Sequence, residues 1–285
     1  MWIIAILAGA LCLAQGVLPA QVAPDPKLRS SRATFHPAME VLRPKLAVVT
    51  DEQLEKLKQL SLEAVWGAVQ RAGYTNCHHS GLKSTRPMEK LAGRALTMRY
   101  LPRRPDLVEA MQTLAKEGDW PLGWNIRAAE EAKPGDVLVV DLGGDIDTGV
   151  FFGDISALGA KAAGARGAIL YGSSRDLVEL RDIEGFPVLA AGFDPRPATQ
   201  IGVDWNVPVR VGRATVIPGD VVVADEEAAL FFPASIVDKV IEQASRLVEQ
   251  ENYERDLVRQ KKHRFRDVYP LSPELRKKFE AERKR

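Results

Sequence analysis

The fold of this chain is decided by residues 153–176, which read GDISALGAKAAGARGAILYGSSRD. Asp154 stands at the start of the stretch, and twenty residues follow it before Arg175-Asp176. Apolar residues recur at helical spacing over 155–165, and the run 167–171 has the length of a buried strand. The stretch therefore predicts a turn, a helix, a strand, a second turn and a second helix. Because a helix between two parallel strands returns the chain to the same edge of the sheet, we expect Asp154 to lie close to Arg175-Asp176.

The polar residues of this stretch also have structural explanations. Asp154 can cap the helix that begins at Ile155, and Ser174 can cap the following helix, with Asp176 in its first turn. Arg175 is not explained in this way, because a cation at a helix start opposes the helix dipole and adjacent side chains do not face each other for pairing. An anion near Arg175 would explain it.

The functional interpretation of the same residues is a site for a metal ion and an acidic substrate. An aspartate beside an arginine can hold a hard divalent ion and a carboxylate-bearing substrate together. Magnesium takes oxygen ligands, usually one or two carboxylates with waters and substrate atoms. The free amides of Ile155 and Ser156 at the helix start offer a second place for an anion.

Seven short segments within residues 54–244 carry a resemblance to a known family: Gly93–Thr97, Gly135–Asp141, Gly153-Asp154, Arg175-Asp176, Phe186–Val188, Pro218–Asp220 and Ala224–Glu226. In these segments the chain resembles the RraA-like family, which includes 4-hydroxy-4-methyl-2-oxoglutarate aldolase and the regulator of ribonuclease E activity. The spacing from Gly-Asp to Arg-Asp is the most specific part of the likeness. The resemblance implies an α/β fold, a single swivelling β/β/α sandwich domain with an N-terminal helix and a long C-terminal helix.

The resemblance also implies a role for each site residue. In the aldolase branch, Arg175 would bind the substrate carboxylate and oxo group, and Asp176 would hold Mg²⁺ or another divalent cation such as Mn²⁺. Asp154 would orient or deprotonate a water on the metal side, while Ile155 and Ser156 would contribute backbone amides. The implied assembly is a homotrimer or hexamer with active sites between subunits.

One segment departs from the family pattern. The family usually has Asp-Gly-Ala-Val before Arg-Asp, whereas this chain has Tyr171-Gly172-Ser173-Ser174. The departure bears on the choice of substrate more than on metal binding.

Two functions are consistent with these residues. The first is a divalent-metal-dependent lyase that cleaves a C–C bond of a small 2-oxo acid through a pyruvate enolate, as an aldolase or an oxaloacetate decarboxylase does. The second is a non-catalytic binding or regulatory protein of the same fold, like the ribonuclease E regulators. Fold alone does not decide between them, because one fold hosts many functions.

Composition and charge limit the ligands, the location and the disulfides that can be expected for this chain. Its 285 residues carry a formal net charge of +1, which gives no global electrostatic case for binding nucleic acid. Residues 1–20 are nearly all apolar and predict a cleaved secretory signal peptide, with an uncleaved anchor as the alternative. Export to the periplasm or the medium would follow, with no stable membrane span after cleavage. Cleavage would leave Cys77 alone, without a partner for an intrachain disulfide.

The rest of the chain divides into an arm, a domain and an extension. Residues 21–49 are Pro-rich and polar, which predicts a linker or arm, and 50–245 are expected to form the α/β domain. Within that domain Thr50 predicts the N-cap of a helix that extends to about Ala72. Residues 246–285 are a basic helical extension, either a solvated tail or, by the resemblance, part of the trimer contact.

Two further motifs have weaker functional interpretations. Asn76-Cys77-His78-His79 can be read as a metal motif, but adjacent side chains rarely converge on one ion, so a plain loop is favoured. Gly143-Gly144-Asp145 follows a buried strand, as a nucleotide or S-adenosylmethionine loop does. That interpretation needs a helix directly after the loop, and the sequence predicts further loop and strand instead.

Overall fold

The computed structural model describes residues 37–116 and 123–283. The predicted signal peptide and most of the predicted arm lie outside the described residues. The described part of the arm forms a short helix, α1 (Pro37–Leu42), and a 3-10 turn (Arg43–Lys45). Among the helices of the described residues, none combines the length and the apolar character that a membrane span requires.

The helices of the described residues alternate with strands in the middle of the chain and cluster at its two ends. After α1, those of the described residues are α2 (Asp51–Gln59), α3 (Leu62–Arg71), α4 (Pro105–Lys116), α5 (Trp124–Glu131), α6 (Asp154–Ala162), α7 (Leu177–Arg181), α8 (Val237–Gln260), α9 (Phe265–Val268) and α10 (Pro273–Arg283), with a 3-10 turn (Ala234–Ile236) before α8. The prediction of one N-terminal helix from Thr50 to about Ala72 is wrong, because the structure has two helices there. The capping box of Thr50 and Gln53 is present, but the helix ends at Gln59 and a second one begins, because the Ser61 hydroxyl accepts a hydrogen bond from the Ala64 amide and caps α3.

The strands form one large sheet and one hairpin. They are β1 (His78–Ser80), β2 (Lys83–Ser84), β3 (Leu91–Pro102), β4 (Asp136–Asp141), β5 (Gly167–Ser174), β6 (Val188–Phe193), β7 (Gln200–Trp205), β8 (Val209–Val211), β9 (Ala214–Val216), β10 (Val221–Ala224) and β11 (Ala228–Phe232). The large sheet has the order β1-β11-β10-β3-β4-β5-β6-β2, and β7 also pairs with β3. Its centre is parallel from β3 to β6, while β8 and β9 pair with each other in a separate antiparallel hairpin. The carboxyl ends of β4, β5 and β6 therefore meet at one edge of the sheet.

The sheet is covered by helices on one face and by the hairpin on the other. Along β4, Leu138 and Val140 face a core shared with α5, α6 and α7, whereas Val137 and Val139 face the hairpin. Helices α2, α3 and α8 pack against β10 and β11 on the helical face. Because β4 is buried on both faces, it reads as a continuous apolar run. The expected β/β/α layering is confirmed.

The C-terminal extension is packed rather than a solvated tail. Helix α8 continues through residue 246 without a break, and α9 and α10 then fold back along it. Five buried apolar side chains form a small core between these helices: Leu257, Val268, Leu271, Leu275 and Phe279. The ion pairs Arg246–Glu280 and Arg283–Glu249, each 2.7 Å long, lie beside this core.

Candidate functional site

The candidate site lies at the carboxyl edge of the parallel strands, where β5 ends and α6 begins. The carbonyl oxygen of Phe152 accepts a hydrogen bond from the Arg175 amide at 3.2 Å and another from the Ser174 hydroxyl at 2.8 Å. These two bonds fix the segment before α6 to the end of β5. The sheet edge predicted to collect ligands is therefore the one at which Asp154, Arg175 and Asp176 stand.

Gly153 is the point at which the two halves of the stretch touch. A Cβ atom built on Gly153 would lie 1.9 Å from Oδ2 of Asp176 and 3.1 Å from Nε of Arg175. Its backbone, with φ −119° and ψ −165°, is extended and open to any residue. Glycine is therefore needed here for space, not for conformation. The predicted closeness of the Gly-Asp and Arg-Asp ends is confirmed.

Arg175 and Asp176 form an ion pair with each other. Nε of Arg175 lies 3.4 Å from Oδ2 of Asp176, and the two side chains are 45% and 36% exposed. The sequence argument that adjacent residues do not face each other is wrong at this position. Asp176 has φ 56° and ψ 46°, a left-handed conformation in which the helical rule for neighbouring side chains does not apply. Such conformations in non-glycine residues are uncommon and cluster at functional sites.

Both capping explanations are contradicted by the structure. Helix α6 begins at Asp154 itself, its N-cap is Gly153, and no side chain caps it. Ser174 is the last residue of β5, and its hydroxyl is turned to the Phe152 carbonyl instead of to the next helix. The N-cap of α7 is Asp176, whose side chain makes no capping bond. The carboxylates of Asp154 and Asp176 are thus not used as helix caps.

The start of α6 also presents free amides. The first helical hydrogen bond runs from the Ala157 amide to the Gly153 carbonyl at 3.1 Å. The amides of Ile155 and Ser156 precede this bond, so they remain available as donors to an anion. The hydroxyl of Ser156 accepts a hydrogen bond of 2.9 Å from Nδ2 of Asn125, which ties α5 to the first turn of α6.

The donor set fits a divalent ion that binds few protein ligands. Among the described residues, no group of three or more His, Cys, Asp or Glu side chains converges as a metal site would require. Magnesium usually takes only one or two carboxylates and completes its shell with water and substrate oxygens. The carboxylate of Asp176 is partly exposed and lies against Gly153, the residue that directly precedes Asp154. These residues therefore fit Mg²⁺ or Mn²⁺ bound largely through solvent and substrate.

The residues that depart from the family pattern make packing contacts and main-chain hydrogen bonds inside the fold. Tyr171 faces the hairpin side of the sheet, where its ring lies against Gly144 and makes an edge contact with His79, with ring centroids 5.2 Å apart. Ser173 and Ser174 are fully buried, and their hydroxyls bond to main-chain carbonyls. The departure changes the side chains of β5 that precede the site, and Arg175-Asp176 still stand at the end of this strand.

The cysteine–histidine motif does not assemble a metal site. His78 and His79 lie in β1, where a loop was expected. The His78 ring makes an edge contact with Trp66 and the His79 ring with Tyr171, while Cys77 is a buried free thiol. Burial raises the pKa of the Cys77 thiol and lowers the pKa of His79. These side chains serve the packing of β1.

The sequence interpretation missed a second charged group at the same sheet edge. Asp194 follows β6, and its amide donates to the Ser174 carbonyl at 2.9 Å. Arg196 holds the Asp194 carboxylate through two hydrogen bonds of 2.7 Å and reaches Asp147 at 3.2 Å. The hydrogen bonds from Arg196 lower the pKa of Asp194 to about 2. In the sequence, the available signal for this group was an aspartate directly after the largely apolar run 188–193.

Comparisons with known proteins find a family model, related sequences and a related solved structure. A family model described as "RraA-like: Aldolase/RraA" matches residues 47–230, which is more than half of the chain. A putative 4-hydroxy-4-methyl-2-oxoglutarate aldolase of Halalkalibacterium halodurans is 30% identical over 122 residues, or 42% of this chain and 57% of that protein. A 4-hydroxy-4-methyl-2-oxoglutarate aldolase of Thermus thermophilus is 33% identical over 108 residues, or 38% of this chain and 65% of that protein. The chain thus spans less than two thirds of either relative.

A solved structure shows the same fold. It is a Streptomyces coelicolor protein described as an unusual member of the RNase ES inhibitor RraA protein family. The two structures align with a TM-score of 0.63 and 27% sequence identity over 73% of this chain and 98% of that chain. The similar proteins therefore include chains named as aldolases and an unusual member of a family named for an inhibitor.

Proposed function

This chain belongs to the RraA-like (Aldolase/RraA) family, and from that premise we propose that it is a divalent-metal-dependent lyase acting on a small 2-oxo acid. The observation that carries the proposal is the contact of the Arg175-Asp176 pair with Gly153 beside the start of α6. Neither carboxylate of this group caps a helix, and Asp176 has an uncommon left-handed backbone. A purely structural role explains neither feature.

The proposed reaction is the cleavage of the C3–C4 bond of a 4-hydroxy-2-oxo acid. The C4 hydroxyl loses a proton and becomes the carbonyl of the leaving fragment. The electron pair of the broken bond stays on C3 and gives the enolate of pyruvate, which then takes up one proton at C3. Decarboxylation of oxaloacetate gives the same enolate, with carbon dioxide as the leaving fragment, so one site can perform both reactions.

The residues divide this work by their chemistry. The planar guanidinium of Arg175 can bind the substrate carboxylate and the adjacent oxo oxygen together, where negative charge develops. The amides of Ile155 and Ser156 bind the carboxylate from the start of α6. Asp154 moves a proton as the general base, directly or through a water. Asp176 would hold Mg²⁺ or Mn²⁺, which when bound supplies Lewis-acid stabilisation of the oxo oxygen.

Pyruvate release tests the proposal directly. Wild-type protein should release pyruvate from oxaloacetate and from 4-hydroxy-4-methyl-2-oxoglutarate with magnesium, and far less after treatment with a chelator. Asp176→Ala should lose magnesium binding and turnover together. Arg175→Lys should keep magnesium but lower kcat by about 10²–10³-fold, as the loss of one oxyanion donor does. Asp154→Asn should bind both magnesium and substrate and fail in turnover.

A matched variant controls for the effect of removing a carboxylate. Asp182 directly follows α7 and is exposed, so Asp182→Asn should behave as wild type in the same assays. Isothermal titration with magnesium separates the Asp176 variant from the other two. If Asp176→Ala binds magnesium and turns over normally, the lyase proposal is wrong.

The second candidate is a non-catalytic regulator of the same fold. The aligned Streptomyces coelicolor protein, which belongs to a family described as inhibitors, favours it. The intact Arg175, Asp176 and Asp154 favour the lyase instead. A wild-type chain that releases no pyruvate from either substrate would support the regulator. Assembly as a trimer or hexamer and export of the chain are further parts of our proposal, which rest on the resemblance and on the apolar N-terminal residues.

A further inference from the structure

The C-terminal part of the chain carries a concentration of positive charge. Residues 256–278 hold eight Lys or Arg side chains and three Asp or Glu side chains, whereas the whole chain has a formal net charge of +1. These residues form the end of α8, all of α9 and the first half of α10, and we call them the basic patch. The patch lies beyond residues 47–230, which the family model matches, so the family domain does not account for it.

The acidic side chains of the basic patch are already held by cations of the same patch. The ion pairs are Asp256–Arg259 at 2.8 Å, Asp267–Arg264 at 2.8 Å and Glu274–Lys278 at 2.9 Å. The hydrogen bonds from Arg264, and then the charges of Arg264 and Arg266, lower the pKa of Asp267, so this one carboxylate faces two guanidinium groups. Five exposed cations form no ion pair with any described residue: Lys261, Lys262, Arg266, Arg276 and Lys277. The positive charge of the patch is therefore not neutralised within the fold.

Exposed apolar side chains lie among these cations. Val258, Phe265 and Tyr269 are 43%, 66% and 62% exposed, and they line one groove of about 460 Å³. The rings of Phe265 and Tyr269 lie against each other, with centroids 6.1 Å apart. The turn that carries Lys261 and Lys262 connects Val258 to Phe265, so cations stand beside the groove. An exposed apolar patch rimmed by charged residues is typical of an interaction surface.

The acidic side chains of the groove do not offset the charge of the basic patch. Glu251 pairs with Arg255 at 2.7 Å. Glu254 is 5% exposed and accepts a hydrogen bond of 2.8 Å from Gln250. One carboxylate of the groove thus lacks a cation, against five exposed cations of the patch that lack a carboxylate. The charge that this surface presents to a ligand is positive.

Exposed cations beside exposed aromatic rings suit the surface of an anionic membrane. Lys and Arg are attracted to acidic lipid headgroups, and aromatic side chains insert at the boundary between the headgroups and the acyl chains. Single-stranded nucleic acid would instead need ring faces open to stacked bases, whereas the Phe265 and Tyr269 rings lie against each other. Residues 1–20 predict a signal peptide or an anchor, and both would bring the chain to a membrane.

We propose that the basic patch binds the surface of a membrane that contains anionic phospholipid. Phe265 and Tyr269 insert between the headgroups, and Lys261 and Lys262 lie against the lipid phosphates. The protein rests on the membrane through this patch and does not span it there. The basic patch contains no residue of the candidate site, so lipid binding and the proposed lyase activity are independent.

Sedimentation with vesicles tests the patch in the full chain. Wild-type protein should bind vesicles of mixed phosphatidylglycerol and phosphatidylcholine more tightly than vesicles of phosphatidylcholine alone. Raising the salt from about 0.1 M to about 1 M shortens the Debye length from about 10 Å to about 3 Å and should remove most of this preference. Binding through residues 1–20 would be the same in every variant and in both kinds of vesicle, so the preference isolates the patch.

Charge removal inside the patch should reduce the preference strongly. Lys261→Gln/Lys262→Gln should weaken binding to the anionic vesicles by about 25-fold, because each cation near such a surface contributes about five-fold. Lys83→Gln/Lys239→Gln is the matched control, since it removes the same charge from exposed positions in β2 and near the start of α8. The control should bind as wild type does.

Removal of the aromatic rings tests insertion separately from charge. Phe265→Ser/Tyr269→Ser should weaken binding to the anionic vesicles by about 10-fold without a change in net charge. A wild-type chain without preference for anionic vesicles, or equal effects of the Lys261/Lys262 variant and its control, would overturn the proposal. Retention of a single-stranded RNA oligonucleotide through the patch, with no binding of anionic vesicles, would assign the patch to nucleic acid and overturn it as well.

Discussion

Substitution of Gly153 by alanine should disable the site and leave the fold intact. The new Cβ would lie 1.9 Å from Oδ2 of Asp176, whereas ordinary contacts begin at 3.4 Å, so the carboxylate must move by about 1.5 Å. A displacement of about 1 Å at a reacting group can cost about 10²-fold in rate. We therefore expect kcat to fall by at least about 10²-fold, with weaker binding of magnesium.

The same substitution should have little effect on stability. The Gly153 backbone is extended, so alanine introduces no conformational strain there. The group that must move is the end of a side chain that is 36% exposed, and it can turn into solvent. Alanine is a poorer N-cap than glycine by about 1 kcal/mol, but it also restricts the unfolded chain, which offsets about 0.4–1 kcal/mol of that loss. The free energy of unfolding should therefore change by less than about 1 kcal/mol.

Turnover and urea unfolding, measured on the same preparation, check both expectations. Gly67→Ala is the control, because Gly67 lies in α3 and its added Cβ would meet only the flexible Arg71 side chain. That variant should keep the wild-type kcat and gain up to about 1 kcal/mol of stability from helix propensity. A Gly153→Ala protein with wild-type kcat would refute the reasoning that the carboxylate position matters.

Three further outcomes are expected. Burial raises the pKa of Asp220 to about 7 from its usual value of 3.8, so the contribution of its protonated form to stability is present below pH 4 and is lost as the pH rises toward 7. The variant Asp220→Asn keeps an oxygen that can accept the hydrogen bond from the Ile217 amide, and it should be more stable than wild type at pH 8 by up to about 4 kcal/mol. Urea titrations at pH 8 and pH 4 should show that this advantage disappears near pH 4. Light scattering at micromolar concentration should give three or six times the chain mass, and a monomer would count against sites shared between subunits. Intact-mass measurement on protein from the native host should show cleavage before about Pro24, and a chain that retains Met1 would contradict export.

The sequence determined the layout of the central stretch. Its periodicity gave the order turn, helix, strand, turn, helix, and this order is that of α6, β5 and α7. The apolar run of β4 predicted a buried strand, and the structure confirms the strand and shows that it is buried on both faces. These features depend on local patterns of side chains, so they could be predicted without knowledge of distant contacts.

The position of the site could be predicted for the same reason. Parallel strands joined by a helix bring their carboxyl ends to one edge, which places Asp154 near Arg175-Asp176 whatever the rest of the chain does. The local details could not be predicted. The left-handed backbone of Asp176 and the pairing of its carboxylate with Arg175 depend on the approach of Gly153, a residue over twenty positions away.

Tertiary structure alone decided the features that join distant segments. One cavity brings together Arg103 from the loop after β3, Asn125 from α5 and Gln200 from β7, and no sequence pattern links these residues. The C-terminal helices resembled a solvated tail because their charged residues dominate, yet Phe279 and Leu257 are buried in the same small core once the chain reverses. A residue's neighbours along the chain fix its local conformation, but burial and the pairing of charges depend on which distant surfaces the fold brings into contact. For this reason the order of the elements could be predicted from the sequence, whereas only the fold decided what each side chain touches.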